Sequence, residues 1–230
     1  MGNIKLNIGF RICEREQKVA DDMVAQFKVL PVANVSDTMG RLQGGGPRLL
    51  PMHTSGVLAG PALTVKVRPG DNLMLHKAID MAMPGDVIVV DGGGHLTNSL
   101  MGELMLAHAI NRGIAGFVIY GAIRDADAFK SVNLPTFASG INHRGPYKDG
   151  PGEINVSISL DGMVVNPGDL ILGDSDGVVS VPIEMTKQVL ADTLAKQSAE
   201  EKQMEAIKAK TNDRSWVDKA LHEKGCEFPK

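Results

Sequence analysis

Two hydrophobic periods run along this chain, and the switches between them mark out its elements. Residues 14–30 carry Val19, Met23, Phe27 and Leu30 three or four positions apart with charges between, which predicts an amphipathic helix ended by Pro31. Asn34 and Ser36 offer N-caps for a short helix that runs into the glycines at 44–46. GPALTVKVR (60–68) alternates apolar and polar residues and reads as a strand. Asp71 is placed to cap a helix through LMLHKAIDMAM (73–83), stopped by Pro84-Gly85. DVIVVD (86–91) is a continuous apolar run, the mark of a strand covered on both faces. It exits through DGGGHLTNS into a second helix, GELMLAHAINR (102–112), with Gly113 at the natural C-terminal position. AGFVIYG (115–121) is another buried strand and leads straight into AIRDAD.

After residue 130 the texture changes. INVSISL puts Ile154, Val156, Ile158 and Leu160 on one face, and Asp161-Gly162 supplies a hairpin turn into MVV. NPGDLILGDSDGVVSVP (166–182) gives two short strands around an Asp- and Gly-rich turn, and Ile183 to Lys210 fits a long, partly exposed helix. Strands and helices interleave early and antiparallel strands follow, which predicts an α/β fold. With no internal repeat and no linker, one domain is expected over residues 1–182, its N-terminal helix included. A C-terminal helical extension follows over residues 183–230.

Composition narrows the function classes. A hydrophobic fraction of 43 % supports a core, and aromatics at 4 % leave that core to Val, Ile, Leu, Ala and Met. The net charge is −3 and the basic residues are scattered, so the concentrated positive footprint of a nucleic-acid binder is absent. No apolar run approaches the roughly 18 residues of a membrane span, and MGNIKLNIGFRICERE lacks a secretory signal pattern. Cys13 and Cys226 lie far apart, which argues against a disulfide scaffold or a zinc cluster and for a cytoplasmic protein.

Several residues carry candidate chemistry. Arg124-Asp125 follows a buried strand at its C-terminal end, where α/β folds gather ligands. Arg offers a fork for a carboxylate and Asp offers hard oxygens for Mg²⁺ or Mn²⁺, although an RD dipeptide is more often a surface ion pair. Gly102-Glu103-Leu104-Met105 lies at a helix start, whose free N–H groups suit an anion, although most helix starts bind only water. The glycine triplets at 44–46 and 92–94 lack the GK[ST] or GxGxxG context of a nucleotide site. His76 and His108 read as partly buried helix residues, and GDSDG (173–177) as a turn, since it lacks the EF-hand pattern. Neither cysteine has an activating neighbour in sequence. Glu200 and Glu201 read as solvated helix residues, or as carboxylates that a protruding helix presents to a neighbouring subunit.

The ordered series VSDTMGRL, GPALTV, PGDVIVVDGGG, GELMLAHAINRGIAGFVIYGAIRD and NPGDLILGDSDGVVSVP resembles the RraA-like family over roughly residues 33–182. That family includes the 4-hydroxy-4-methyl-2-oxoglutarate and 4-carboxy-4-hydroxy-2-oxoadipate aldolases. The resemblance implies a three-layer β/β/α swivelling fold, trimers or hexamers, and active sites between subunits. By motif it implies that Asp125 binds a divalent cation directly, Mg²⁺ or Mn²⁺, and that Arg124 sits by the substrate keto oxygen. The backbone N–H groups of Gly102 to Met105 would hold the pyruvyl carboxylate, and Glu103 would touch the metal shell through water. Glu200 or Glu201, from a neighbouring subunit, would support the metal waters. The implied activity is a pyruvate-forming lyase acting on a 4-hydroxy-2-oxo acid, with oxaloacetate decarboxylation. Other members of the family regulate ribonuclease E instead, so a non-catalytic regulator is the alternative; the long C-terminal segment leans toward the enzymes. Asp37 and Asn98 are further candidates for pocket walls.

Overall fold

The structure, a computed structural model, describes residues 7–229. Its centre is a run of four parallel strands, β3 (Leu58–Val67), β4 (Val87–Met101), β5 (Gly116–Ile123) and β6 (Thr136–Ile141). Helices α3 (Leu73–Met81), α4 (Glu103–Asn111) and α5 (Ala126–Val132) connect them in turn. The short strands β1 (Phe10–Ile12) and β7 (Gly152–Ile154) extend the sheet beyond β3, and β2 (Leu50–Pro51) closes its other edge on β6.

Period-two alternation sends side chains to two different cores. From β3, β4 and β5, Leu63, Val65, Ile88, Val90, Phe117 and Ile119 face the helix layer, where they meet Leu75, Ile79, Leu106 and Phe129. Their neighbours Ala62, Val87, Val89 and Val118 face a second β layer. That layer is the hairpin β8 (Ile158–Leu160) with β9 (Met163–Val165), and the antiparallel pair β10 (Leu170–Asp174) and β11 (Gly177–Val181) branching from β3. A third cluster lies outside it, where α1 (Asp21–Phe27), α2 (Val32–Thr38) and the first turns of α6 (Thr186–Lys208) cover Leu170, Leu172, Val179 and Val181. The expected β/β/α layering is what the chain adopts, with α6 and α7 (Ser215–Glu223) as its C-terminal helices.

Three local expectations are corrected. The N-terminal helix covers only Asp21–Phe27, and residues 13–20 are not helical. Cys13 N–H bonds the carbonyl of Ile154, Val19 N–H bonds that of Gly168, and Arg15 grips the buried Asp86 at 2.8 and 3.1 Å. These long-range partners outbid a local helix. Asn34 and Ser36 lie inside α2 and cap nothing; Pro31 precedes the helix, and Asp174 on β10 accepts the Val32 N–H at 3.0 Å. Third, DGGGHLTNS does not leave the sheet. It continues β4 to Met101 through register shifts against β5, with Gly93 and Gly94 both at φ 67°. The triplet is a β-bulge device that bends the strand.

Candidate active site

The C-terminal end of β5 meets the first turn of α4. Ile123 pairs with Met101, and the Arg124 N–H continues the pairing to the Met101 carbonyl at 2.9 Å. Asp125 then turns into the left-handed region, φ 55° and ψ 43°, which Asp tolerates better than most residues. The turn brings its Oδ2 to 2.9 Å from the Glu103 N–H, so the carboxylate accepts one of the four free donors at the start of α4. Arg124 Nε lies 3.6 Å from the same oxygen. Gly102 makes the packing feasible: a Cβ there would sit 2.3 Å from Asp125 Oδ2 and 2.9 Å from Arg124 Cγ.

Beside this junction opens a cavity of about 260 Å³. Gly102, Leu104, Met105 and Arg124 form its floor, with Asn72 and His76 on the α3 side. Gly145, Pro146 and Lys148 form the opposite wall. A smaller space of about 240 Å³ lies across Arg124, lined also by Asp125, Ile141 and His143. Leu104, at the rim, is 83 % exposed.

The loop forming the far wall is fastened at several points. Asn98 Nδ2 donates to the Gly145 carbonyl at 2.7 Å, and Ser99 donates through both N–H and Oγ to the Arg144 carbonyl. Tyr147 N–H reaches the Gly70 carbonyl and Asn72 N–H the Tyr147 carbonyl. The buried Asp71 accepts the Leu73 N–H at 3.0 Å and starts α3 from one residue before its cap. Its other oxygen accepts the N–H groups of Asp149 and Gly150. Asn72 Nδ2 donates to the Leu100 carbonyl, which fixes the amide's orientation, and its buried Oδ1 has no partner among the described residues. Burial and the nearby Lys148 ammonium push the His76 pKa down, so the ring is neutral near pH 7.

Among the described residues no three His, Cys, Asp or Glu side chains cluster as a ready-made cage. Asp125 uses one oxygen for Glu103, and its half-exposed side chain leaves the other without a hydrogen bond among the described residues. A lone carboxylate with the exposed Glu103 beside it is an all-oxygen set. It fits a hard, largely hydrated cation such as Mg²⁺ and does not fit a zinc site.

Gly102, Glu103, Leu104, Met105, Arg124 and Asp125 thus come together as one site. Glu200 and Glu201 do not join it within this chain. Glu200 accepts from Asn34 Nδ2 at 2.7 Å and from Lys196 at 2.9 Å, and both contacts hold its pKa below the usual range. Glu201 is exposed on α6. Asp37 pairs with Arg41 and Lys196 on the same side and lines no part of the cavity beside Arg124, whereas Asn98 braces that cavity's wall. Asn72, His76 and Lys148 escaped the sequence reading. His76 looked like an ordinary helix residue, and nothing local marks a lysine in a Gly- and Pro-rich loop as facing a cavity.

The α/β layer thus turns an Arg-Asp pair onto a glycine-opened helix N-terminus, with a cavity beside it. The family model for RraA-like proteins, Aldolase/RraA, matches residues 32–180. The chain belongs to the RraA-like family. A Halalkalibacterium halodurans protein provisionally named 4-hydroxy-4-methyl-2-oxoglutarate aldolase is 40 % identical over 202 residues, spanning 87 % of this chain and 96 % of its own. Among solved structures, an uncharacterised protein of Pseudomonas syringae superposes with a TM-score of 0.75 at 28 % identity, covering 84 % of this chain and 95 % of its own. The RNA-processing inhibitor RraA of Thermus thermophilis gives 0.61 at 28 % identity, covering 66 % of this chain and 92 % of its own.

Proposed function

We propose that the chain is a divalent-metal-dependent lyase that cleaves a 4-hydroxy-2-oxo acid to pyruvate and a second keto acid, and that it also decarboxylates oxaloacetate. The supporting observation is the shared carboxylate: Asp125 Oδ2 bonded to Glu103 N–H, with Arg124 at its side and a cavity in front. The name of the Halalkalibacterium relative, 4-hydroxy-4-methyl-2-oxoglutarate aldolase, supports the same substrate class; 4-carboxy-4-hydroxy-2-oxoadipate is the other candidate.

In this reading the N–H groups of the Gly102–Met105 turn other than that of Glu103, which Asp125 already takes, hold the 2-oxo carboxylate and so align the scissile C3–C4 bond with the π system of the developing enolate. Loss of the C4 hydroxyl proton and breakage of that bond leave the electron pair on the C2 oxygen. Arg124 stabilises that oxygen where the charge develops. Protonation at C3 then yields pyruvate. Asp125 would hold the cation directly and Glu103 through water; the cation supplies Lewis-acid stabilisation and acidifies water.

The reading also carries an oligomer, a trimer or a hexamer, in which residues 183–230 form an extension beyond the 1–182 domain and contact a neighbouring subunit. In its support, α6 holds Glu200, Met204 and Ile207 on one stripe, and the two apolar residues are exposed. Glu200 or Glu201 would then reach the neighbour's metal waters. No helix among the described residues is long and apolar enough to cross a membrane. The free Cys13 and Cys226 speak for the cytoplasm.

Arg124→Ala should abolish turnover in a folded protein, and full activity in that variant contradicts the assignment. The alternative, a non-catalytic regulator of a ribonuclease, draws on the likeness to the Thermus RNA-processing inhibitor. It predicts that Arg124→Ala and Asp125→Ala leave partner binding intact.

A further inference from the structure

The cavity beside Arg124 has a chemical asymmetry that the pyruvyl half of a substrate does not use. Among the described residues its lining contains the cations Arg124 and Lys148, the histidine His76, and no carboxylate. Arg124 has Asp125 as a partner at 3.6 Å. Lys148 makes no hydrogen bond or ion pair among the described residues, although it lies close enough to His76 to depress that ring's pKa. An ammonium facing a cavity with no counter-charge is a standing attraction for an anion.

The backbone under Lys148 is built rather than loose. Its neighbour Tyr147 donates to Gly70 and accepts from Asn72, and the next two residues, Asp149 and Gly150, donate to the buried Asp71 carboxylate. Asn98 and Ser99 fasten Gly145 and Arg144 ahead of it. A buried carboxylate and two β4 side chains are thus committed to setting where this short loop faces the start of α4. His76 is neutral and offers a ring N–H donor without adding charge that would repel the lysine.

We propose that Lys148, with His76 beside it, is a specificity-determining residue that binds the second carboxylate of a dicarboxylic 2-oxo acid, the end remote from the carboxylate held at Gly102–Met105. A cavity of about 260 Å³ admits an acid of five or six carbons in that orientation. The assignment rests on the reading that the α4 N-terminus takes the 2-oxo carboxylate. It goes beyond that reading by naming the residue that makes the site prefer a diacid to a monoacid of the same length.

The test is calorimetric binding to the intact, Mg²⁺-loaded protein of two acids that lack the 4-hydroxyl and so cannot be cleaved: 2-oxoglutarate, a diacid, and 2-oxopentanoate, its monoacid counterpart. The wild type should prefer 2-oxoglutarate by about tenfold or more, the scale of one charge-assisted hydrogen bond. Lys148→Met should erase that preference by weakening the diacid alone, and Lys148→Arg should retain most of it. Equal binding of the two acids by the wild type, binding of neither, or an intact preference in Lys148→Met overturns the proposal. The binding result does not depend on turnover: a diacid preference lost in Lys148→Met without any cleavage activity would leave the subsite standing and remove the aldolase reading alone.

Discussion

The Glu103 N–H donates to Asp125 Oδ2 at 2.9 Å, so the first turn of α4 and the end of β5 share one carboxylate. That bond fixes which way Asp125 faces and, through the adjoining Arg124, which way the guanidinium lies. Gly102 is the residue that allows it. Gly102→Ala would drive a methyl group to 2.3 Å from Asp125 Oδ2 and force the pair apart. Displacement of about 1 Å at a reacting group costs about 100-fold in rate, so kcat should fall by roughly that factor. Steady-state kinetics alongside a thermal melt would show a large rate loss in a protein that still folds.

Asp125→Asn separates charge from shape. Asn accepts the same backbone N–H and adopts the left-handed conformation at least as readily as Asp, so stability should stay within about 0.5 kcal/mol. The charge proposed to hold the cation is gone. Mn²⁺ titration followed by electron paramagnetic resonance should show affinity reduced by tenfold or more, on the order of one lost metal–carboxylate contact. Unchanged Mn²⁺ affinity would remove Asp125 as the ligand.

The ion pair between Arg15 and Asp86 serves the fold and not the chemistry. Asp86 is fully buried, held by two Arg15 bonds and by the Met83 N–H at the entry to β4. Removing one partner of such a pair strands a buried charge and costs about 3–5 kcal/mol. Urea denaturation of Arg15→Met should show that loss, with activity per folded molecule unchanged.

Acid weakens the join between α2 and α6 in a defined direction. The Lys196 ammonium bonds Asp37 at 3.1 Å and Glu200 at 2.9 Å and holds both carboxyl pKa values below their usual range. Depressed folded-state values mean that the stabilisation is present above the ordinary carboxylate pKa and is lost as pH falls through the lower folded ones. Lys196→Met should therefore melt slightly below wild type at pH 7. The gap should close as pH drops below about 4, and salt should narrow it because the groups are solvent-facing.

The parts of the fold that follow from local periodicity were legible. DVIVVD and AGFVIYG gave β4 and β5, Asp161-Gly162 gave the β8–β9 turn, and the polar run after Ile183 gave α6. What failed depended on distant partners. Val19 satisfied a helical spacing, but its N–H is taken by Gly168, and the start of α2 is capped by Asp174, 142 residues away. The site divides the same way. Gly102–Met105 and Arg124–Asp125 are contiguous motifs, and strand pairing of Ile123 with Met101 brings them together. Asn72, His76 and Lys148 reach the cavity only because Asp71 and Asn72 tie α3 to the 144–150 loop, a juxtaposition no window of sequence contains.

Pyruvate release from 4-hydroxy-4-methyl-2-oxoglutarate, with Mg²⁺ and again with EDTA, tests the central claim most directly. Metal-dependent release that disappears in Arg124→Ala is the predicted result. A folded, Mg²⁺-supplied protein that releases no pyruvate from this acid or from oxaloacetate would contradict the lyase and turn attention to partner binding.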